Sequence, residues 1–263
     1  MQEAIGHSRD IKKRIASVRG ISLLLDFDGT LSPFVRMPGK AFLPASTRRL
    51  LLKIIQKVPV GIITGRSLDV IKKKVTIPGI AYGASHGIEW DFGLGEKQNK
   101  LSKEVAAIFT VLNREVGLLV KRHPAVLREN RPFGITFHYH ACPRKDWPAI
   151  KRDVIRLLWP INSNKNIKIF WERQTVDIVS RSSGTKGDIA LSLHRHFLKS
   201  SGKKLLPIYI GDGITDEDAF TVLKNIGLTI RVGKSKASVA QYFLKKQSEV
   251  NQFLTFLASQ IIY

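Results

Sequence analysis

Acidic residues are scarce in this chain, which has 21 aspartates and glutamates against 43 lysines and arginines. The formal net charge of +22 would suit a nucleic-acid or anionic-membrane partner, and it would also suit an anionic substrate. The excess is not gathered in one tail, because residues 92–182 carry a net +9 and the other 172 residues carry +13. No zinc-finger or aromatic RNA-binding signature accompanies it. We therefore expect solvated basic helix faces and no nucleic-acid partner.

Cysteine is nearly absent, since Cys142 is the only one, and this excludes an internal disulfide. A lone thiol fits a reducing compartment, so we expect a cytoplasmic protein. Long apolar runs are also missing, because none approaches the 18 residues of a transmembrane helix. The basic N-terminus lacks the uninterrupted apolar stretch of a signal peptide. We expect no membrane association and a monomeric state.

Strand-like and helix-like segments alternate from the first strand onward with short connections. This pattern predicts an α/β fold with a Rossmann-like, doubly wound parallel sheet. The segments are ISLLLDF, PASTRRLLLKIIQKV, PVGIITGRS, SLDVIKKKV and IAYGASHG, and the alternation resumes later at TKGDIALSLHRHFL, LLPIYIGDG and TDEDAFTVLKNIG.

The alternation changes between residues 92 and 182. A helix-like stretch, the alternating strand GITFHYHA, a second helix and the two-strand pattern IKIFWERQTVDIVS follow one another there. This order is typical of a small α+β module with an antiparallel sheet. We therefore expect a core of residues 1–91 and 183–263, interrupted by an inserted smaller α+β cap domain at 92–182.

Two carboxylates follow the first buried strand, in the stretch LLLDFDGTL. Asp26 and Asp28 are two residues apart, so they point to the same side of an extended chain. They stand at the carboxyl end of the strand, where open α/β sheets bind ligands. Like charges this close repel unless a cation or a proton lies between them. The alternative is a solvated Asp-Gly turn.

Three further segments stand at comparable positions, each after a core strand or at the start of a helix. They are TGR at 64–66, Lys186, and GDGITDED at 211–218. Singly, Thr64 could cap a helix, Lys186 could lie on the surface, and the acidic run could be a favourable first helical turn. Together, in this order on an alternating scaffold, they indicate one site.

The set resembles the four motifs of the haloacid-dehalogenase-like superfamily of phosphotransferases. The resemblance implies that Asp26 attacks phosphorus, that Asp28 acts as general acid and base, and that Thr64 and Lys186 bind the phosphoryl oxygens. It also implies a Mg²⁺ ion held by Asp26, the carbonyl of Asp28 and Asp212, with Asp216 in support.

Two stretches narrow the resemblance to the trehalose-6-phosphate phosphatases, namely GASHGIEW at 83–90 and GDGITDEDAF at 211–220. In that family the cap selects the sugar while the core performs the chemistry. The resemblance implies the following substrate-binding residues: Gly65, Arg66, His86, Glu89, Glu129, Arg131, His138, Glu172 and Asp177. For His86 and Glu89 the alternative is a turn stabilised by side-chain hydrogen bonds.

Four positions depart from the family pattern. Gly213 replaces an aspartate, Arg131 a lysine, His140 an arginine and Asp177 a glutamate. The first could loosen the metal shell, and the others bear on sugar specificity. His138 and His140 could also be ordinary packed residues of one strand face. The tryptophans are expected to pack in the core or at hinges: Trp90, Trp147, Trp159 and Trp171.

The sequence therefore predicts a Mg²⁺-dependent phosphatase that releases phosphate from a small sugar phosphate, trehalose 6-phosphate, through an aspartyl-phosphate intermediate. The chain is too short for a glycosyltransferase domain as well, so we expect a separate trehalose-6-phosphate synthase. One alternative is a phosphatase for sucrose, glucosylglycerol or mannosylglycerate phosphate. Others are a catalytically idle nucleic-acid-binding protein and a scaffold that binds sugar phosphate without turnover.

Overall fold

The computed structural model describes residues 1–35, 38–100, 102–131, 134–172, 174–181 and 184–261. The chain divides into two compact units. One, here called the core, comprises Met1–Gln98 and Gly184–Tyr263, and the other, here called the insert, comprises Asn99–Ser183. Within the described residues, no helix is both long enough and apolar enough to span a bilayer.

The strands of the described residues form two sheets. In chain order they are β1 (Gln2–Glu3), β2 (Ile21–Leu25), β3 (Val60–Ile63), β4 (Ala81–Ala84), β5 (Glu89–Asp91), β6 (Glu96–Gln98), β7 (Leu127–Arg131), β8 (Gly134–His138), β9 (Ile167–Glu172), β10 (Thr175–Ser180), β11 (Leu206–Gly211), β12 (Leu228–Val232) and β13 (Tyr242–Leu244). The core sheet has the order β1-β13-β12-β11-β2-β3-β4-β5-β6, and the insert sheet has the order β7-β8-β10-β9.

The helices cover the sheets. They are α1 (Ser8–Ala16), α2 (Ala45–Ile54), α3 (Leu68–Val75), α4 (Lys103–Arg122), α5 (Trp147–Leu158), α6 (Lys186–Ser201), α7 (Asp216–Leu223) and α8 (Glu249–Gln260). Two apolar clusters lie in the core, one containing residues of α1, α2, α3 and α8 and the other containing residues of α6 and α7. Apolar packing on two sides explains why β2 and β11 are buried along their whole length.

The parallel pairing from β1 through β4 confirms the predicted doubly wound sheet. β2 and β11 are neighbours at its centre, and the strand order runs outward from them in opposite directions. Such a switch point opens a crevice at the carboxyl ends of the two strands. Asp26 and Asp212 follow directly after β2 and β11, so the fold brings both aspartates to this crevice.

The insert begins later than the sequence pattern suggested. We expected a boundary at residue 92, but the compact units divide after Gln98. The reason is a hairpin, since β5 pairs antiparallel with β4 and β6 pairs antiparallel with β5, which extends the core sheet by two short strands. Alternating helix and strand signals do not reveal such an antiparallel edge.

The insert has an antiparallel sheet with helices on one face. Its apolar cluster joins α4 and α5 to alternate residues of the strands, including Phe137, Val176 and Ile178. The other face is polar, because successive residues of a strand point to opposite sides. Cross-strand pairing aligns Glu129 with Thr136 and Thr136 with Asp177 on that second face.

Candidate active site

Lys186 links two carboxylates at the carboxyl edge of the core sheet. Its Nζ donates to Asp26 Oδ1 at 2.7 Å and to Asp216 Oδ1 at 2.8 Å. All three residues are buried, and Asp216 is fully excluded from solvent. A buried charged group is tolerated only when it is paired and hydrogen-bonded. Each of the three side chains therefore depends on the other two to remain charged in this buried place.

The start of α6 places Lys186. Thr185 and Asp188 form a capping box, in which the Thr185 hydroxyl accepts from the Asp188 N–H and the Asp188 carboxylate accepts from the Thr185 N–H. The box fixes the first turn of the helix. Because Lys186 is the first helical residue, its side chain starts from a defined backbone position.

Asp212 completes a group of three carboxylates. Ligand atoms of Asp26, Asp212 and Asp216 lie within 4.8 Å of one another. Two glycines make room for them: a Cβ on Gly29 would lie 2.2 Å from Asp212 Oδ2, and a Cβ on Gly211 would lie 2.4 Å from Asp216 Cγ. Gly29 also adopts a φ of 79°, which suits glycine.

The charge balance of this cluster suits a cation. Three carboxylates face one ammonium, so the group carries surplus negative charge in a poorly hydrated place. Burial raises the pKa of Asp26 well above its usual value, Lys186 opposes that rise, and Asp216 and Asp212 add to it. Oxygen ligands in this number fit a hard divalent ion such as Mg²⁺. The residues present therefore fit the metal that the motif resemblance implies.

Lys186 remains a cation in this setting. Burial alone would lower its pKa, but the charges of Asp216 and Asp26 and their hydrogen bonds outweigh burial and raise the pKa above its usual value. The ammonium is thus permanently available to offset negative charge on a bound group.

Asp28 is held by Arg66 in a two-point ion pair. Arg66 Nε donates to Asp28 Oδ2 at 2.7 Å, and Arg66 Nη2 donates to Asp28 Oδ1 at 2.6 Å. The Arg66 side chain is 6% exposed and the Asp28 side chain 44% exposed. The fork fixes the plane of the carboxylate while leaving one side of it open to solvent. Arg66, predicted to bind substrate, thus contacts the predicted acid/base.

Thr64, Gly65 and Arg66 form the turn between β3 and α3. The buried Thr64 hydroxyl accepts the Arg66 N–H at 3.2 Å, and the Thr64 N–H donates to the Gly83 carbonyl of β4 at 2.9 Å. These contacts fix the turn that follows β3. The structure does not pair the Thr64 side chain directly with the carboxylate cluster among its described hydrogen bonds.

His86 and Glu89 lie in the segment after β4. Ser85 and His86 have φ angles of 48° and 56°, a conformation that non-glycine residues rarely adopt. Glu89 accepts hydrogen bonds from the Ser85 hydroxyl and, at 3.3 Å, from the Leu68 N–H at the start of α3. Glu89 therefore fastens this strained turn to α3, and substrate binding by His86 and Glu89 stays a prediction.

The insert brings three predicted residues to the polar face of its sheet. His138 Nδ1 lies 3.0 Å from Thr175 Oγ1, and His138 Nε2 lies 3.7 Å from Glu129 Oε2. Asp177 accepts a hydrogen bond from the Thr136 hydroxyl. His140 makes an edge contact with His138, with ring centroids 5.6 Å apart. The side chains of Arg131 and Glu172, also predicted to bind substrate, lie outside the described part of the structure.

Tyr209 is a site residue that sequence reasoning missed. Its hydroxyl donates to Asp216 Oδ1 at 2.6 Å, and the side chain is fully buried in β11. The backbone N–H of Gly213 supports the other oxygen of Asp216 at 2.8 Å. The sequence did hold a signal for Tyr209, since it is the one residue with a hydroxyl in the otherwise apolar strand LPIYIG. A buried hydroxyl needs a hydrogen-bond partner, which indicates a polar group nearby.

Comparisons with known proteins show which family this chain resembles. A family model for trehalose-phosphatase matches residues 24–248. The chain is 32% identical over 248 residues to probable trehalose-phosphate phosphatase D of Arabidopsis thaliana, covering 89% of this chain and 66% of that protein. It is 29% identical over 245 residues to a trehalose-phosphate phosphatase of Mycobacterium tuberculosis H37Rv, covering 91% and 62%. The chain thus spans slightly under two thirds of the length of these relatives.

Solved structures share the fold. The C-terminal domain of Candida albicans trehalose-6-phosphate phosphatase superposes with a TM-score of 0.85 at 19% identity, covering 96% of both chains. The C-terminal domain of a Candida albicans trehalose synthase regulatory protein gives 0.71 at 16% identity, covering 95% and 97%. Because proteins described so differently share one fold, activity must be argued from the site residues. The match over residues 24–248 shows that this chain belongs to the trehalose-phosphatase family.

Proposed function

We propose that this chain is a Mg²⁺-dependent phosphatase that hydrolyses trehalose 6-phosphate to trehalose and phosphate. The observation that carries the proposal is the buried cluster of Asp26, Lys186, Asp212 and Asp216 at the switch point of the sheet. A carboxylate held by a lysine beside two further aspartates in a crevice is the arrangement that phosphoryl transfer to an aspartate needs. We choose trehalose 6-phosphate as the substrate because the relatives are named trehalose-phosphate phosphatases.

In the first half-reaction an Asp26 carboxylate oxygen attacks phosphorus and forms an aspartyl phosphate. The bond from phosphorus to the sugar oxygen breaks, and Asp28 gives its proton to the departing alkoxide. In the second half, Asp28 takes a proton from a water that attacks the same phosphorus. The bond from phosphorus to Asp26 then breaks, which frees phosphate and restores the carboxylate.

The surrounding residues stabilise the charge of the phosphoryl group. The Lys186 ammonium, already on Asp26, offsets negative charge on the phosphoryl oxygens, and Thr64 hydrogen-bonds one of them. A Mg²⁺ ion held by Asp26, Asp212 and the Asp28 carbonyl, with Asp216 in support, would neutralise further phosphoryl charge and keep Asp26 ionised. Arg66 occupies both oxygens of the Asp28 carboxylate, so one of these hydrogen bonds must open for that oxygen to carry the proton that Asp28 gives and later takes back from water.

The polar face of the insert sheet is proposed to recognise the sugar. Glu129, His138 and Asp177 lie on that face, and their carboxylate and imidazole groups suit the hydroxyls of a disaccharide. Arg131 and Glu172 belong to the same proposal on the strength of the family motif. The shorter Asp177 is engaged by Thr136, so a different sugar phosphate is the second candidate substrate.

The test is phosphate release from trehalose 6-phosphate by the purified chain, with and without Mg²⁺. We expect turnover that depends on Mg²⁺ and falls at least a thousandfold in Asp26→Asn, because an amide is not a nucleophile toward phosphorus. Asp69→Asn is a matched control, since Asp69 is exposed on α3. Undiminished release by Asp26→Asn would contradict the mechanism, and absence of release from every sugar phosphate would contradict the function.

A further inference from the structure

A cavity of about 530 Å³ lies in the insert, between α5 and the edge strand β9. Its floor is apolar, with Leu158 and Ile169 contributing to it. Trp171 pairs across the sheet with Val176, a residue of the insert's apolar cluster, whereas Phe170 pairs with Asp177. Cross-strand neighbours share a face. The cavity therefore opens on the helix side of the sheet, opposite the polar face assigned above to the sugar.

Two tryptophans at this cavity are exposed, so the expectation that the tryptophans pack in the core or at hinges is wrong for these two as far as the core is concerned. Trp159 is 75% exposed and Trp171 is 42% exposed. Neither indole N–H donates a hydrogen bond to any residue that the structure describes, whereas Trp147 of the same insert donates to the Cys142 carbonyl at 3.0 Å. Exposed aromatic faces that can also donate a hydrogen bond are enriched at binding sites.

Lys151 is the charged residue among those that line the cavity, and the other polar side chains there, Tyr139 and Asn162, can each donate and accept hydrogen bonds. Lys151 lines it without an ion-pair partner among the described residues, and Asn162 adds a side-chain amide. No described lining residue is acidic. The insert as a whole carries a net charge of +9 over residues 99–183. An occupant that complements this site must therefore be apolar in its body and negative at one end.

We propose that this cavity binds a small amphipathic anion, in which a ring system or short hydrocarbon body carries one carboxylate, sulfonate or phosphate group. The body would lie against Trp159, Trp171 and the apolar floor, and the anion would meet Lys151. The volume falls within the range of about 300–1,000 Å³ that is usual for small-ligand sites. A second copy of the chain is a poor occupant, because two inserts of +9 repel each other.

The test titrates the chain of 263 residues with 8-anilinonaphthalene-1-sulfonate, an aromatic anion whose emission rises in apolar sites. Calorimetry with 4-phenylbutyrate and its uncharged analogue 4-phenylbutan-1-ol isolates the contribution of the anionic group. We expect one saturable site, with Kd raised at least tenfold in Trp159→Ala and in Lys151→Glu. Lys121→Glu is the matched control, because it makes the same charge change at an exposed position of α4, away from the residues that line the cavity. This variant should bind the probes like the wild-type chain.

Three results would overturn the proposal. These are the absence of saturable binding for both anions, binding that survives in both cavity variants, and equal affinity for the acid and the alcohol. Far-ultraviolet circular dichroism of each variant separates loss of the site from loss of the fold. The outcome does not depend on the proposed phosphatase activity, since Asp26→Asn should bind the probes as the wild-type chain does.

Discussion

At the scale of single residues, the site depends on a chain of hydrogen bonds that runs from Tyr209 through Asp216 and Lys186 to Asp26. We predict that Tyr209→Phe lowers kcat about three- to tenfold with little change in KM, because Lys186 loses part of its alignment on Asp26. The free energy of unfolding should fall by about 1 kcal/mol for the lost hydrogen bond. Steady-state kinetics and urea unfolding measure both quantities.

The phenylalanine keeps the ring, which packs edge-on against Phe220 with centroids 5.7 Å apart. A purely structural role would therefore change stability and leave kcat intact, and that result would contradict the positioning role of Tyr209.

The position of residues at strand ends could be predicted from sequence. Asp26 and Asp212 follow two parallel strands, β2 and β11, and the carboxyl ends of neighbouring parallel strands meet at one crevice. The motif spacing also indicated Lys186 and Asp216. One partnership between side chains could not be predicted. The pairing of Arg66 with Asp28 depends on rotamers that the local pattern does not specify, whereas the hydrogen bond from Ser85 to Glu89 matches the turn stabilised by side-chain hydrogen bonds that was the alternative for that segment.

At the scale of elements, Lys72 fastens α3 to the hairpin of β5 and β6. Its Nζ donates to Asp91 at 2.6 Å and to Glu96 at 2.8 Å. The hydrogen bond from Lys72 lowers the pKa of Asp91. We predict that Lys72→Met reduces the free energy of unfolding by about 1 kcal/mol at pH 7, measured by urea titration, because a partly buried network is lost.

The pH dependence follows from the lowered pKa of Asp91. The stability that ionised Asp91 contributes is complete above its pKa of about 4 in the unfolded chain. It is lost as the pH falls through the lower pKa that Asp91 has in the folded chain. The difference between the wild-type chain and Lys72→Met should therefore shrink below pH 4. Lys73→Met is the control, since Lys73 meets Asp69 at 3.7 Å in a solvent-exposed pair and should cost little at any pH. A difference independent of pH would contradict the ion-pair account.

Elements with strong periodicity were predicted well, including α2, α3, α4, α5 and the β9–β10 pair. The short strands were not, because β1, β5 and β6 have two or three residues each and gain their stability from neighbouring strands rather than from their own pattern. Exposure also escaped prediction. Trp159 directly follows α5 and Trp171 is the second-last residue of β9, and both match an apolar pattern although their side chains are exposed.

At the scale of the whole molecule, the net charge of +22 repels itself in the folded state. We predict that the Tm rises by several degrees between about 0.02 M and 0.5 M NaCl, because screening shortens the range of that repulsion. Differential scanning calorimetry without Mg²⁺ measures the shift, and KCl at equal ionic strength controls for ion identity. An unchanged or lower Tm at high salt would show that local ion pairs dominate over the net charge.

The central claim is that this protein hydrolyses trehalose 6-phosphate, with the chemistry at Asp26 and recognition of the sugar by the polar face of the insert sheet. The most direct measurement is a competition in one tube, with equimolar trehalose 6-phosphate and the phosphates of sucrose, glucosylglycerol and mannosylglycerate, followed by ³¹P nuclear magnetic resonance in the presence of Mg²⁺. The account predicts that trehalose 6-phosphate disappears at least tenfold faster than each competitor. Preferential loss of another sugar phosphate would keep the chemistry of Asp26 and contradict the assigned substrate.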